Sequence, residues 1–344
     1  MRAGARPLPS RLLIGATVAL WSITAIAEDN AVEWLVRMGE AARVENYQGI
    51  IVYRDQDVLE TLSLTHSNRN GAERERLISL SGEPREIRRQ NEEVTCLLPK
   101  QQQLTAGNPG QHGLFPHMSR ETVEKLAEHY DVRLIGNARI AGRLCRGVQI
   151  KPRDAFRYGY QFWGDEKTGV PLKVALTTPD NTRVEELLFT QVDFPKRIAD
   201  SAFAPQSSKA SRQPVANQRT ADAKPAPSRW ILKQLPPGFE IVMRDVRPLP
   251  DQRGELEHVQ VSDGLSAVSV FVARQPPPER IFQGFSRMGA VHAYGRVVGE
   301  YHVAVVGEVP IETVRMIGDG LRAAQDDDDD LSPARVNLVP PPTP

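Results

Sequence analysis

Seven histidines, at 66, 112, 117, 129, 258, 292 and 302, are the first residues that could do acid–base or metal chemistry. None falls at the H-x-x-x-H or H-E-x-x-H spacing that puts two imidazoles on one helix face. His112 and His117 sit in a Gly/Pro-rich stretch with Phe115, where surface histidines are common. No G-x-S-x-G elbow, phosphate-binding Gly loop or dinucleotide fingerprint is present. Ser286-Arg287-Met288-Gly289 is compact but has no base nearby in sequence. Cys96 and Cys145 lack a C-x-x-C context, which argues against redox catalysis. The acid pairs Glu92-Glu93 and Glu185-Glu186 read as solvated turn or strand-edge groups. These patterns point away from an enzyme and call for neither a cofactor nor a metal.

Binding chemistry is better represented. Arg85, Arg88 and Arg89 cluster in one strand-like run, and Arg74 and Arg76 share a face of the run before it, next to Ile78. Two readings fit. The guanidinium groups of Arg74, Arg76, Arg85 and Arg88 could hold phosphate-like anions at the rim of an apolar pocket. Alternatively they form a solvated face balanced by Glu73, Glu75 and Glu86. The pocket itself would draw on Ile51, Tyr53, Leu62, Leu64, Ile78, Tyr158, Tyr160 and Phe162. The segment Gly49–Tyr53 is apolar on both alternations, and Tyr158, Tyr160 and Phe162 share one face. A curved sheet only partly filled by helices would leave such a cavity; an ordinary packed core satisfies the same periodicity.

The elements that must position these groups are short β-prone runs broken by turns. They cover Gln48–Tyr53, Leu59–His66, Glu75–Leu80, Arg85–Gln90, Glu93–Leu98, Arg133–Ile140, Leu144–Ile150, Arg157–Trp163, Val170–Thr177 and Arg183–Asp193. One helix is expected from a capping box at Asn30 and Glu33, with Val32, Leu35, Met38 and Ala42 as its apolar stripe. A second is expected over Ser119–Tyr130. After residue 229 come strands near Glu240–Arg247, Leu256–Ser262, Leu265–Ala273, Ala290–Val298 and Glu300–Gly307, with a hairpin turn at Asp263-Gly264. A final helix places Pro310 at its first position. This is α+β: a large antiparallel sheet with helices, linked to a small antiparallel sheet with one helix.

Composition divides the 344 residues further. Arg2, Arg6 and Arg11 precede an apolar run from Leu12 to Ile26 and an Ala25-Ile26-Ala27 site, the layout of a secretory signal peptide cleaved after Ala27. The domains expected are 1–27 signal, 28–204 large domain, 205–228 flexible linker, 229–325 small domain and 326–344 acidic, Pro-rich tail. Lys plus Arg and Asp plus Glu both number 43, so bulk positive charge does not recruit nucleic acid. In an oxidising compartment Cys96 and Cys145 could pair, for about 3–4 kcal/mol on the chain-entropy model, or remain separate buried thiols.

Longer strings carry a resemblance. Tyr47-Gln48-Gly49, Glu73 to Gly82, Pro84-Arg85-Glu86, Val94-Thr95-Cys96, Pro152-Arg153-Asp154, Tyr158-Gly159-Tyr160 and Thr168 to Lys173 resemble the RseB/MucB family. So do Ser262-Asp263-Gly264-Leu265, Val268 to Phe271, Ser286 to Ala290 and Ala293-Tyr294-Gly295-Arg296. The resemblance implies a periplasmic negative regulator of the sigma-E envelope stress response. Such a protein binds the periplasmic segment of a transmembrane anti-sigma factor of the RseA/MucA type and shields it from regulated proteolysis. It implies a large domain like the lipoprotein carriers LolA and LolB, an unclosed antiparallel β-barrel whose cavity takes lipopolysaccharide or acylated lipoprotein and so releases the partner. Arg287, Met288, Tyr294 and Arg296 are the candidate partner contacts. The alternative is a periplasmic lipid or lipoprotein carrier; homodimerisation is left open.

Overall fold

The computed structural model describes residues 19–55, 58–91, 93–97, 103–106, 115, 118–204, 229–249, 254–274 and 282–324. The linker 205–228 and tail 326–344 expected above lie outside the described residues, as do residues 1–18 of the signal segment.

The first helix, α1, runs unbroken over Ala19–Val44. The expected start at Asn30 is therefore wrong for the full chain: the apolar segment before it is itself helical and carries the helix through the cap position. From Asn30 on, α1 buries Ala31, Trp34, Leu35, Met38 and Ala41, the i, i+3, i+4 stripe of an amphipathic helix.

Eleven antiparallel strands form one sheet. They are β1 Tyr47–Arg54, β2 Leu59–Arg69, β3 Ala72–Ser79, β4 Glu86–Gln90, β5 Glu93–Leu97, β6 Gln103–Ala106, β7 Tyr130–Ile140, β8 Arg143–Pro152, β9 Gly159–Asp165, β10 Pro171–Thr177 and β11 Arg183–Asp193. Their order is β6-β5-β4-β3-β2-β1-β11-β10-β9-β8-β7. Two meanders are thus joined where β1 pairs with β11. Among the described residues no pairing links β6 to β7, so the sheet is unclosed. Helix α2, Arg120–Leu126, enters between the meanders; the Ser119 side chain caps it by accepting from the Thr122 N–H at 3.1 Å. It stops short of the expected Tyr130 because 127–129 form a turn and Tyr130 opens β7.

The small domain holds a six-stranded sheet of β13 Glu240–Pro248, β14 Glu255–Ser262, β15 Ala267–Arg274, β16 Gly284–Met288, β17 Val291–Val298 and β18 Tyr301–Gly307, in the order β13-β14-β15-β18-β17-β16. Helix α3, Ile311–Asp319, covers it, with Pro310 as the residue before the first turn rather than within it. A two-stranded ribbon of β12, Trp230–Leu232, and β19, Leu321–Ala323, ties the ends of the domain together. The core is built from Val259, Val261, Val268, Val270, Val303 and Val305 against Val314, Ile317 and Leu321.

Candidate functional site

The pleat assigns the expected pocket residues to faces. Ile51 pairs with Leu62 and Phe189, Tyr53 with Leu187, and Leu64 with Leu77, so these project from one side of the sheet. The same side continues through Val174 opposite Phe162 and Leu176 opposite Tyr160. Ile51, Leu62, Leu64 and Phe162 are buried. Phe162 packs with Trp34, Leu35 and Met38 of α1, and its ring lies 5.5 Å from Tyr160 in a parallel stack and 4.7 Å from Phe115 edge-on. Ile78 falls on the opposite side, opposite Ser63. Tyr158 belongs to a different cluster, with Leu176, Val184 and Ala290 of the small domain.

The arginines are engaged. Arg74 pairs with Asp200 at 2.8 Å and lies 4.5 Å over the Phe203 ring of the short 3-10 helix Asp200–Phe203. Arg76 meets Glu86 at 2.9 Å and donates to the Ala202 carbonyl at 2.9 Å. Arg88 lies 3.7 Å from Glu86, and Arg85 pairs with Glu60. Arg76 neighbours Leu77 on β3, so it leaves the side opposite to the one that carries Leu64 and Ile51. Each of these four arginines has an acidic neighbour, but Asp200 and Glu60 stand with Glu86 in place of Glu73 and Glu75, and Arg76 is largely enclosed. The Cys96–Cys145 bridge is not formed: Cys145 is a free, buried thiol. Cys96 lies on β5 and Cys145 on β8, strands that are not neighbours in the sheet. Burial and then Asp165 push the Cys145 thiol up to about 11.

The residues of the small domain gather at the β16–β17 edge. Tyr294 stacks on Phe285 at 4.6 Å and donates to Asp319 at 2.9 Å. Arg296 donates to the Gly318 carbonyl at 3.0 Å, and Arg315 lies 4.8 Å over Phe285. Tyr294 and Arg296 are thus fixed against α3. Arg287 reaches the Gly289 carbonyl at 2.9 Å, and Met288 stands 79% exposed.

The feature that sequence reading missed is the junction between the domains. Arg157 is fully buried. It pairs with Asp154 at 2.9 Å and with the buried Asp263 side chain at 2.7 Å, and donates to the Pro237 carbonyl. Its guanidinium lies 5.4 Å from the Tyr130 ring and 5.0 Å from the Phe239 ring. Tyr130 donates to the same Asp263 oxygen at 2.8 Å. The other Asp263 oxygen accepts from the Leu265 and Ser266 N–H groups at 3.0 and 2.7 Å. The β14–β15 turn therefore does more than reverse the chain: it delivers a carboxylate to an arginine of the other domain. The signal available was an arginine heading an aromatic strand and an Asp-Gly turn, both of which have ordinary local explanations.

A second set of contacts lies beside it. Glu185 accepts from the Ala290 N–H at 2.8 Å. Thr313 of α3 donates to the Phe156 carbonyl at 2.5 Å, and Tyr158 and His292 approach to 3.4 Å. Gly289, at φ +60°, turns β16 into β17 so close to the large domain that a Cβ there would lie 2.7 Å from Asp55 and 2.8 Å from Glu185. Glu308, an exposed residue, directly follows β18. Burial first and Glu185 second push its carboxyl up to about 7, against a hydrogen bond from Tyr160.

The family described as the MucB/RseB N-terminal domain matches residues 30–207, and the MucB/RseB C-terminal domain matches residues 224–322. The sigma factor AlgU regulatory protein MucB of Pseudomonas aeruginosa is 29% identical over 318 residues, 90% of this chain and 96% of that protein. The sigma-E factor regulatory protein RseB of Escherichia coli K12 is 26% identical over 304 residues, 88% and 94% of the two chains. Among solved structures, MucB in the Pseudomonas aeruginosa MucA/MucB complex superposes with a TM-score of 0.65 at 27% identity, covering 86% of this chain and 99% of that one. MucB crystallised with the periplasmic part of MucA gives 0.65 at 26%, covering 85% and 98%.

Proposed function

The chain belongs to the MucB/RseB family, and on that premise we propose that it is a periplasmic negative regulator of a sigma-E-type stress response. It binds the periplasmic segment of a transmembrane anti-sigma factor and keeps that segment from regulated proteolysis. One observation carries the reading: both domains match the family in order, and relatives matched over nearly their whole length are named as sigma-factor regulators. The solved complexes of MucB with MucA support the choice of partner class. The amino-terminal basic and apolar segment supports export. Exposed Met288 and Arg287, beside the domain junction, supply an apolar anchor and a cation for the partner segment.

Release is the finer part of the proposal. The apolar side of the large sheet takes an acyl chain of lipopolysaccharide or of a lipoprotein, and the lipid-bound arrangement holds the partner less well. Moving from 99% bound to 99% free requires about 5.5 kcal/mol of differential affinity. A few hundred Å² of acyl surface at about 25 cal/mol per Å² is of that size. The test is retention of the anti-sigma periplasmic fragment on the immobilised mature protein, with and without lipopolysaccharide. Retention that falls with lipid supports the proposal; no retention in buffer refutes partner binding, and retention unmoved by saturating lipid refutes gating.

A further inference from the structure

We propose that the small domain is a lid on the apolar side of the large sheet, so that an acyl chain takes that side by displacing the docked small domain. The proposal rests on the acyl-chain reading above and gives that site its regulation. Two turns of the small domain reach the apolar side. The β16–β17 turn sends Ala290, fully buried, into a cluster with Tyr158, Leu176 and Val184 of the large domain. The β14–β15 turn sends Leu265 against the cluster that joins Tyr130, Val132, Ile150 and Phe162 to α1 and α2. Tyr160 packs against both clusters.

The register puts these contacts on the same side as the expected pocket. From Ile51 and Tyr53 the row passes to Phe189 and Leu187, then to Val174, which lies opposite Phe162, and Leu176, which lies opposite Tyr160. Helix α1 covers this row at Phe162, and Ala290 covers its end at Leu176. Tyr158, Leu176 and Val184 are buried in the docked arrangement. The polar contacts between the domains lie at the margins of the lid. Ala290 N–H donates to Glu185 at 2.8 Å, the Tyr130 hydroxyl to Asp263 at 2.8 Å, and the Thr313 hydroxyl to the Phe156 carbonyl at 2.5 Å, while Arg157 pairs with Asp263 at 2.7 Å. The two kinds of contact differ in what can replace them. Apolar burial is non-directional, so methylene groups substitute for Ala290 and Leu265. Hydrocarbon offers nothing to the donors and acceptors at the margin, which return to water when the lid lifts. The strength of the margin therefore sets how readily an acyl chain gains the surface beneath.

Two occupants that share one surface have linked equilibria, and the linkage is reciprocal: the factor by which lipid weakens docking is the factor by which docking weakens lipid binding. Couplings between sites run from about 5- to 150-fold, and about tenfold is expected where two turns overlap the ligand. The experiment uses the mature full-length protein and lauroyl lysophosphatidylcholine below its micelle concentration, a zwitterionic single-chain probe. Titration calorimetry reads probe affinity. Exchange of the Ala290 amide proton reads docking, because its acceptor Glu185 lies on the other domain. Wild type is compared with Asp263→Ala and Thr313→Val, which weaken the margin and leave every apolar residue beneath the lid in place.

Saturating probe is expected to speed Ala290 exchange in wild type about tenfold or more. Each variant is expected to bind the probe more tightly than wild type, by the factor by which it speeds Ala290 exchange in the absence of probe. Binding seen in the variants and not in wild type also supports the lid. A probe that binds while Ala290 exchange stays unmoved, or one affinity shared by all three proteins, overturns the lid and leaves the acyl-chain reading standing. A probe that binds none of the three overturns both. Near-ultraviolet circular dichroism verifies that each variant is folded. Thr313→Val exchanges a hydroxyl for a methyl group at nearly constant volume, so it decides the matter even where Asp263→Ala fails to fold.

Discussion

Replacing Asp263 by alanine tests the idea that a single buried carboxylate couples the domains. The substitution removes the acceptor of Arg157 at 2.7 Å, of the Tyr130 hydroxyl at 2.8 Å, and of two backbone N–H groups of the β14–β15 turn. A lost charge-assisted hydrogen bond is worth about 1.5–3 kcal/mol, and an orphaned buried hydroxyl costs about 1–3 kcal/mol. Asp154 still neutralises Arg157 at 2.9 Å, so the penalty stays at the low end of the about 3–5 kcal/mol of a stranded buried charge. The terms share one site and do not add. The expected loss is about 3 kcal/mol, against about 1 kcal/mol for Tyr130→Phe, which leaves the ion pair intact. The contacts span the two domains, so the loss should fall on docking. Calorimetry should show the single transition splitting in two, with the small domain's transition displaced, and scattering should show expansion at constant pH. In an Arg157→Met background the same Asp263→Ala change should cost much less, because its charged partner is gone. A loss below about 1 kcal/mol with the domains still docked, or equal costs in both backgrounds, would refute the coupling.

Ile51→Ala, at a fully buried position on the apolar side of the large sheet, should cost about 2–5 kcal/mol in urea denaturation. Met288→Glu, at an exposed position on β16, should change stability by less than about 0.5 kcal/mol while cutting retention of the anti-sigma fragment about tenfold or more. Cys145 should react with iodoacetamide orders of magnitude more slowly in the native than in the urea-unfolded protein at about pH 8, since burial and the raised thiol value both suppress thiolate. Burial works to raise the Asp165 carboxyl, but hydrogen bonds from Arg143 and Thr168 outweigh it and hold the group below the usual range. Its contribution is present above the ordinary Asp value and is lost as pH falls through the depressed one. Asp165→Asn should therefore flatten the acid limb of a stability-versus-pH curve.

What the sequence by itself determined is the local layer. Apolar alternation and turn residues located most of the strands: the run Arg183–Asp193 matches β11 end to end, and Ser119 caps α2 as its type suggests. Each of those signals acts within a few residues of its cause. The missed strands are the ones whose reason lies elsewhere. β12 and β19 are three residues each and exist only because the ends of the small domain meet, and β6 and β16 are short strands at the ends of their sheets, four and five residues long. The family resemblance, carried by strings along both domains, was legible for the same reason that strings are. The tertiary structure alone decided the charges. Arg74, Arg76 and Arg88 look alike in sequence to Arg157, yet three are matched by acids near in the sheet or beside it, while the fourth is sealed between two domains. The pairing of Arg157 with Asp263 and the hydrogen bond from the Ala290 N–H to Glu185 each join residues more than a hundred positions apart. No local pattern encodes such a contact, because the energy that makes it exists only once two separately folded surfaces exclude water between them.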